Sequence, residues 1–373
     1  MENKKIKVLC VIGTRPELIK MAPVIYELKR RDSLFECIVC LTGQHKEMVE
    51  GILEIFKISP DYNLKVMTGN QTLAGLTSAL FDKLDSVFDE AKPDWVLAQG
   101  DTTTVFVSAT LAYYHKTRFA HVEAGLRTGN KQHPFPEEIN RIFADHAADL
   151  LFAPTTTSQA NLLREGLPQN KILVTGNTVV DALHMSLAIP YEWQSGPLSR
   201  IDRRKPLVLI TTHRRESFGQ PMREVLESLK ELAEEFPSVQ FVFPVHLNPN
   251  VQKPVSEILK NVVNISLLKP LDYLSLINLI KEALLILTDS GGIQEEGASL
   301  GMPVLVMRET TERPEGVAAG LVELVGTDRN LLLARARKHL NRAKKNISHI
   351  TESPYGDGHA AKKIVDALIP ASY

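Results

Sequence analysis

The stretch Thr288 to Glu296, TDSGGIQEE, holds the residue types that seat a phosphate. Ser290 would cap a helix, and Gly291 and Gly292 would leave its first amides open to an anion, with no Cβ in the way. Glu295 and Glu296 lie a turn further on, where a carboxylate repels phosphate but accepts hydrogen bonds from sugar hydroxyls. Together these residues point to a nucleotide, although on this stretch alone a capped helix with glycines kept for close packing reads the same way. Arg15 stands just after an apolar run and Lys20 one helical turn on, so both cations can face an anion. Asp101, Glu123 and Glu137 fall after strand-like runs or at the head of a helix. One such acid is an ordinary cap, but three beside Arg15 at one sheet edge exceed what capping needs. His213 is flanked by Arg214, Arg215 and Glu216 in a charged loop, where a histidine is more often functional than packed.

The elements that must position these groups alternate. Lys7 to Ile12 reads as a strand, and GTRPE then leads to a helix with Leu18, Met21, Ile25 and Leu28 on one face. Cys37 to Leu41, Asp94 to Ala98, Phe119 to Val122, Leu150 to Ala153 and Lys171 to Val174 read as further strands, separated by helical stretches. After a proline-bearing connector, Ile189 to Pro206, a second series starts at Leu207, with strands at 239–245, 264–268, 284–287 and 303–307. The fold class is α/β: two Rossmann-like doubly wound domains, each collecting polar residues after its strands and together facing a cleft. We place the N-terminal domain at 1–185, with a C-terminal helix at about 360–373 packing back on it, and the second domain at 186–359.

Composition narrows the partners. A chain of 373 residues is comfortable for two domains, and a net charge of −1 supplies no field for nucleic acid or an anionic membrane. No apolar stretch is long enough to span a bilayer and no signal peptide is expected, so a cytoplasmic protein with reduced thiols is the default. Cys37 and Cys40 form a CxxC without a second pair, which reads as core packing. His121 and Glu123 share a strand face but lack a third metal ligand. Neither GxGxxG nor GxxxxGK[ST] follows a strand, so no cofactor and no metal is expected.

GTRPE at 13–17, GQH at 43–45, QGDTTT at 99–104, HVEAGLRT at 121–128 and FPEEINR at 135–141 resemble the non-hydrolysing UDP-N-acetylglucosamine 2-epimerases. So do TGNTVVDAL at 175–183, THRRESFG at 212–219, TDSGGIQEE at 288–296 and TTERPEG at 310–316, all in the family's order across nearly the whole chain. The resemblance implies a glycosyltransferase-B-like pair of domains, a homodimer, and interconversion of UDP-GlcNAc and UDP-ManNAc for surface polysaccharide precursors. It implies Asp101, Glu123 and Glu137 as acid–base groups, with His213 counted among the catalytic residues beside the departing diphosphate. Arg15, Lys20, Arg313 and the amides of Ser290, Gly291 and Gly292 would hold that diphosphate, and Glu296 the ribose. A hydrolysing epimerase, a UDP-sugar glycosyltransferase and a two-lobed solute-binding protein are the other readings.

Bacterial members of that family can carry a second UDP-GlcNAc as effector, and Gln44, Glu137, Arg214 and His246 match its ligands. Glu47 stands where a glutamine is expected and Asn70 where an arginine is expected. An added carboxylate and a missing cation both disfavour a diphosphate, and one lost charge-assisted hydrogen bond is already worth about 1.5–3 kcal/mol, roughly ten- to a hundredfold in affinity, so effector activation is expected to be weak or absent.

Overall fold

The computed structural model describes residues 4–43, 46–69, 71–214, 217–342 and 353–369, with the backbone alone at 46–48 and 342. The chain divides into two units, Met1–Met185 with Gly356–Tyr373, and Ser186–Tyr355.

In the first unit the strands are β1 (Ile6–Ile12), β2 (Phe35–Leu41), β3 (Tyr62–Asn63), β4 (Trp95–Gln99), β5 (Arg118–Val122), β6 (Leu150–Ala153) and β7 (Ile172–Val174). They form one parallel sheet in the order β3-β2-β1-β4-β5-β6-β7. Parallel strands are covered on both faces, which is why Val8, Leu9 and Cys10 of β1 and Val96, Leu97 and Ala98 of β4 are all fully buried. The strand order reverses between β1 and β4, and a crevice opens beyond their carboxyl ends. The loops at Gly13–Thr14 and Gly100–Thr102 lie at that reversal.

The second unit repeats the plan with β8 (Leu207–Thr211), β9 (Gln240–Pro244), β10 (Ile265–Leu268), β11 (Ala283–Thr288), β12 (Val304–Val306) and β13 (Val322–Leu324), ordered β10-β9-β8-β11-β12-β13. Here the reversal falls between β8 and β11, so Thr212–Arg214 and Asp289–Ser290 stand at the crevice. Topology alone thus brings the GTRPE and QGDTTT segments together in one unit, and the THRRE and TDSGG segments in the other.

β3 and β13 were not read in the sequence; edge strands of two and three residues are too short to show a period. The CxxC pair is not a unit either. The Cys10 thiol lies against Cys37 from the neighbouring strand, and burial pushes the Cys40 thiol up to about 12. The C-terminal helix Ala360–Ala367 rests on the first unit, where Asp181 accepts the amides of Ala360 and Ala361 and Arg31 pairs with Asp366 at 2.6 Å. No helix among the described residues is long and apolar enough to cross a membrane.

Candidate active site

Glu123 follows β5 directly with a φ of 68°, a left-handed conformation that costs a residue with a side chain about 1–3 kcal/mol. Its carboxylate is buried. The Lys20 ammonium, one turn into the helix Arg15–Arg30, bonds Oε2, and the Asn177 amide donates to the same oxygen at 3.0 Å. Lys20, expected to face an anion above the sheet, is therefore paired with one of the three acids.

Asp101 precedes Thr102, the N-cap of the helix Thr103–Tyr114, so capping does not account for it. Arg141 bonds its Oδ2, and the Asn140 amide donates to its carbonyl at 2.9 Å. Both partners lie on the helix Glu137–Ala147, which ties the third acid to the first. The two adjacent glutamates that open this helix do different things. Glu138 is buried and accepts the amides of Thr128 and Gly129, both at 2.9 Å, holding the loop after β5. Glu137 instead lines a pocket of about 230 Å³ with Met67, Leu76, Thr102, Thr103 and Asn140.

Glu17 is the buried acid of GTRPE. As the N3 residue of the Arg15 helix it accepts the amides of Gly13 at 2.5 Å and Thr14 at 2.7 Å, and the Thr102 hydroxyl at 2.5 Å, lacing the β1 and β4 loops together. Burial pushes its carboxyl from the ordinary 4.5 up to about 7, against the pull of those three donors, with the charge of Asp101 adding a little. A folded-state value raised above the unfolded one means that the folded protein holds an extra proton between pH 4.5 and about 7, so stability falls as pH rises through that window. The loss is of order 3 kcal/mol by pH 8. Glu17→Gln keeps an acceptor for the two amides and donates to Thr102, so it removes this loss. Melting temperatures at pH 5 and pH 8 should converge in the variant relative to the wild type; equal pH dependence in both would show that Glu17 keeps its ordinary value.

In the second unit the helix Gly291–Ser299 begins where expected, with Ser290 at the N-cap position, though its side chain makes no capping bond. Arg313 lies over Gly291. A Cβ there would stand 2.6 Å from Nη1 and 2.8 Å from Cζ, whereas one on Gly292 would meet nothing within 4 Å. Arg313 is itself held, its Nε donating to Glu295 at 2.7 Å and its Nη1 facing Glu312 at 2.9 Å. Burial works to raise the Glu312 carboxyl, but Arg313 and Arg308 overcome it and bring it to about 2. Asp289, fully buried, ties β11 to the loop after β8. Its Oδ2 accepts the Thr212 hydroxyl and the amides of His213 and Arg214, all within 2.9 Å, while Oδ1 faces His213 Nδ1 at 3.2 Å. Burial would raise this carboxyl too, but the His213 ring and those amides hold it below its ordinary range. The His213 ring stacks on His246 with centroids 5.6 Å apart, and burial, then the charge of His213, lowers the His246 imidazole.

The family model for UDP-N-acetylglucosamine 2-epimerase matches residues 27–369. A Yersinia pestis UDP-N-acetylglucosamine 2-epimerase is 47% identical over 376 residues, covering 97% of this chain and 98% of its own. The chain belongs to the UDP-N-acetylglucosamine 2-epimerase family. A crystal structure of the Neisseria meningitidis UDP-GlcNAc 2-epimerase bound to UDP-GlcNAc superposes with a TM-score of 0.89 at 44% identity, covering 97% of this chain and 99% of that one. The fold, a glycosyltransferase-B-like pair of Rossmann-like units, extends to the glycotransferase of kitacinnamycin, at 11% identity and a TM-score of 0.61.

Within these epimerase motifs, several residues hold the site that the sequence reading did not single out. Asp289 had a signal: it follows β11 directly, as Glu123 follows β5. Glu17 had one as well, standing three residues after Thr14 in capping-box spacing. Arg141 and Asn177 had none, because only the folded sheet brings them to Asp101 and Glu123. Glu295, paired in the sequence reading with sugar hydroxyls, is taken by Arg313, while Glu296 is buried one residue on. Arg15, the first residue of its helix, is half-buried. Of the effector ligands, Arg214 is half-buried and His246 exposed; Gln44, Asn70 and the Glu47 side chain lie outside the described residues.

Proposed function

We propose that this family member interconverts UDP-GlcNAc and UDP-ManNAc without net hydrolysis, by eliminating UDP to 2-acetamidoglucal and adding it back. The observation that carries this reading is the set of three acids in the first unit, each in a different setting: Glu123 on Lys20, Asp101 on Arg141, and Glu137 at a pocket. Carbon 2 is not beside a carbonyl, so its proton is not acidic enough for simple abstraction, and elimination of UDP is the route open to carboxylates. Inversion takes the proton from one face and returns it to the other, which requires more than one acid–base group or a reoriented intermediate. Elimination and readdition leave the oxidation state unchanged, so no nicotinamide takes part.

Asp101, Glu123 and Glu137 serve the proton steps. UDP is seated by the second unit: the Ser290, Gly291 and Gly292 amides with Arg313 take phosphate, Glu296 takes ribose hydroxyls, and His213, oriented by Asp289, donates to the departing diphosphate. Arg15 adds charge for that diphosphate, and Lys20 acts on it through Glu123. The UDP-GlcNAc held by the Neisseria relative supports this choice of substrate. We place the activity in the cytoplasm, in the supply of surface polysaccharide precursors. We also assign a homodimer, supported by the exposed Tyr113, Tyr114 and Phe143 on adjacent helices of the first unit; sedimentation at micromolar protein reads that state directly.

Incubation with UDP-GlcNAc alone in heavy water, followed by NMR, should give UDP-ManNAc reversibly, with deuterium at carbon 2 and full activity after chelation. Release of free ManNAc would establish the hydrolysing reaction instead, and product without deuterium would rule out the elimination route. Started from UDP-ManNAc, the time course should show no lag that micromolar UDP-GlcNAc abolishes, since Glu47 and Asn70 replace the effector's glutamine and arginine.

A further inference from the structure

Beneath the three acids lies a second polar layer in which His121 is central. This β5 residue is fully buried, its ring stacked on Phe119 with centroids 6.1 Å apart. Nδ1 lies 2.6 Å from Oδ1 of Asp145, and Nε2 lies 2.7 Å from the carbonyl oxygen of Gly100. A carbonyl oxygen only accepts. Asp145 accepts as well: its Oδ2 takes Arg127 at 2.7 Å and the Gly125 amide at 3.2 Å, and Arg127 is in turn held by Glu165 at 2.7 Å. Burial would raise the Asp145 carboxyl, but His121 and Arg127 outweigh it and keep it ionised. With an acceptor on each side, both ring nitrogens of His121 must donate.

What these bonds fix is the backbone that carries the acids. Gly100 immediately precedes Asp101, and its carbonyl is held by His121 while its amide is held by the Val122 carbonyl at 3.1 Å. Gly125 follows Glu123 by two residues and is held by Asp145, in a turn where a Cβ would stand 2.4 Å from the Ser158 carbonyl oxygen. Asp145 is carried by the helix that Glu137 opens. One side-chain pair therefore touches the segment of every acid while touching none of the carboxylates themselves.

We propose that His121, donating from both ring nitrogens to Asp145 and to Gly100, is the positioning residue that sets the separation of Asp101, Glu123 and Glu137. The structural part stands on these contacts and on the charge of Asp145 beside Arg127, and its consequence for turnover rests on the assignment of those three acids as acid–base groups. Displacement of a catalytic group by about 1 Å costs about a hundredfold in rate, whereas UDP is seated by the other unit. His121→Asn leaves no donor for Gly100, and His121→Gln none for Asp145. Each should lower kcat by about a hundredfold, with the KM for UDP-GlcNAc and the affinity for UDP within about threefold of wild type. A rise in KM with kcat kept, or loss of UDP binding in a folded variant, would overturn the positioning role. Neutron diffraction of the wild-type protein tests the geometry without any variant or any turnover. Deuterons on both ring nitrogens, with none on Asp145, are expected; a bare ring nitrogen or a deuteron on the carboxyl would overturn it. If the neutron map agrees and neither the wild type nor its variants epimerise UDP-GlcNAc, the functional assignment fails and the brace stands. If the wild type turns over and both variants match its kcat, the brace does not serve catalysis.

Discussion

Glu123→Gln lowers turnover of UDP-GlcNAc by about a hundredfold or more, with UDP affinity within a few-fold of wild type. The shape of the side chain is kept, and the amide oxygen can still accept from Lys20 and Asn177, so the geometry survives while the carboxylate is lost. Two features single out this acid. It is the one held in a left-handed backbone conformation, and strain of that kind persists where the surrounding structure over-determines it, as at active sites. It is also bonded to a buried ammonium, so proton transfer at Glu123 changes the charge balance of a pair shielded from water. Removing that charge leaves Lys20 without its carboxylate and lowers stability by up to about 3–5 kcal/mol, so a melting curve must accompany the assay. Asp101→Asn and Glu137→Gln should lose a similar factor with smaller thermal shifts, because Asp101 is 26% exposed and Glu137 half-buried. Near-normal turnover in a folded Glu123→Gln protein would reduce Glu123 to the counter-ion of Lys20.

Much of this arrangement was legible in the sequence because doubly wound sheets place their loops by rule. An apolar run followed by a polar one is enough to put Asp101 and Glu123 at the carboxyl edge, and the capped helix at Ser290 follows from the same logic. What could not be read was partnership. Lys20 looks like a cation waiting for an anion, and only the parallel pairing of β4 with β1 and β5 brings Glu123 to it. His121 beside Glu123 looks like half of a metal site, yet both its nitrogens are spent on Asp145 and Gly100. The adjacent Glu137 and Glu138 are equivalent as letters, and the helix start points one at a pocket and the other at the backbone of residues 128–129. Contacts across such sequence separations depend on tertiary packing, which local pattern does not carry.

Arg313→Ala weakens UDP binding by about ten- to a hundredfold, the value of one lost charge-assisted hydrogen bond of about 1.5–3 kcal/mol. The glycines beside it separate two explanations of the phosphate seat. Gly291→Ala places a methyl 2.6 Å from the guanidinium, and Arg313 cannot easily swing aside because Glu295 and Glu312 hold it. If the glycine is there to admit Arg313, the two substitutions act through one group. Gly291→Ala should then cost nearly as much as Arg313→Ala in the wild type and little more in the Arg313→Ala background. Gly292→Ala behaves differently. Its methyl meets no protein atom within 4 Å, so the melting temperature should hold while UDP affinity falls, because the methyl enters the space above the first amides of the helix. Calorimetric titration of UDP into the three single variants and the Gly291–Arg313 double variant gives all the terms. Additive losses at Gly291 and Arg313 would place Gly291 directly against the ligand, and wild-type affinity in Gly292→Ala would move the phosphate away from this helix altogether.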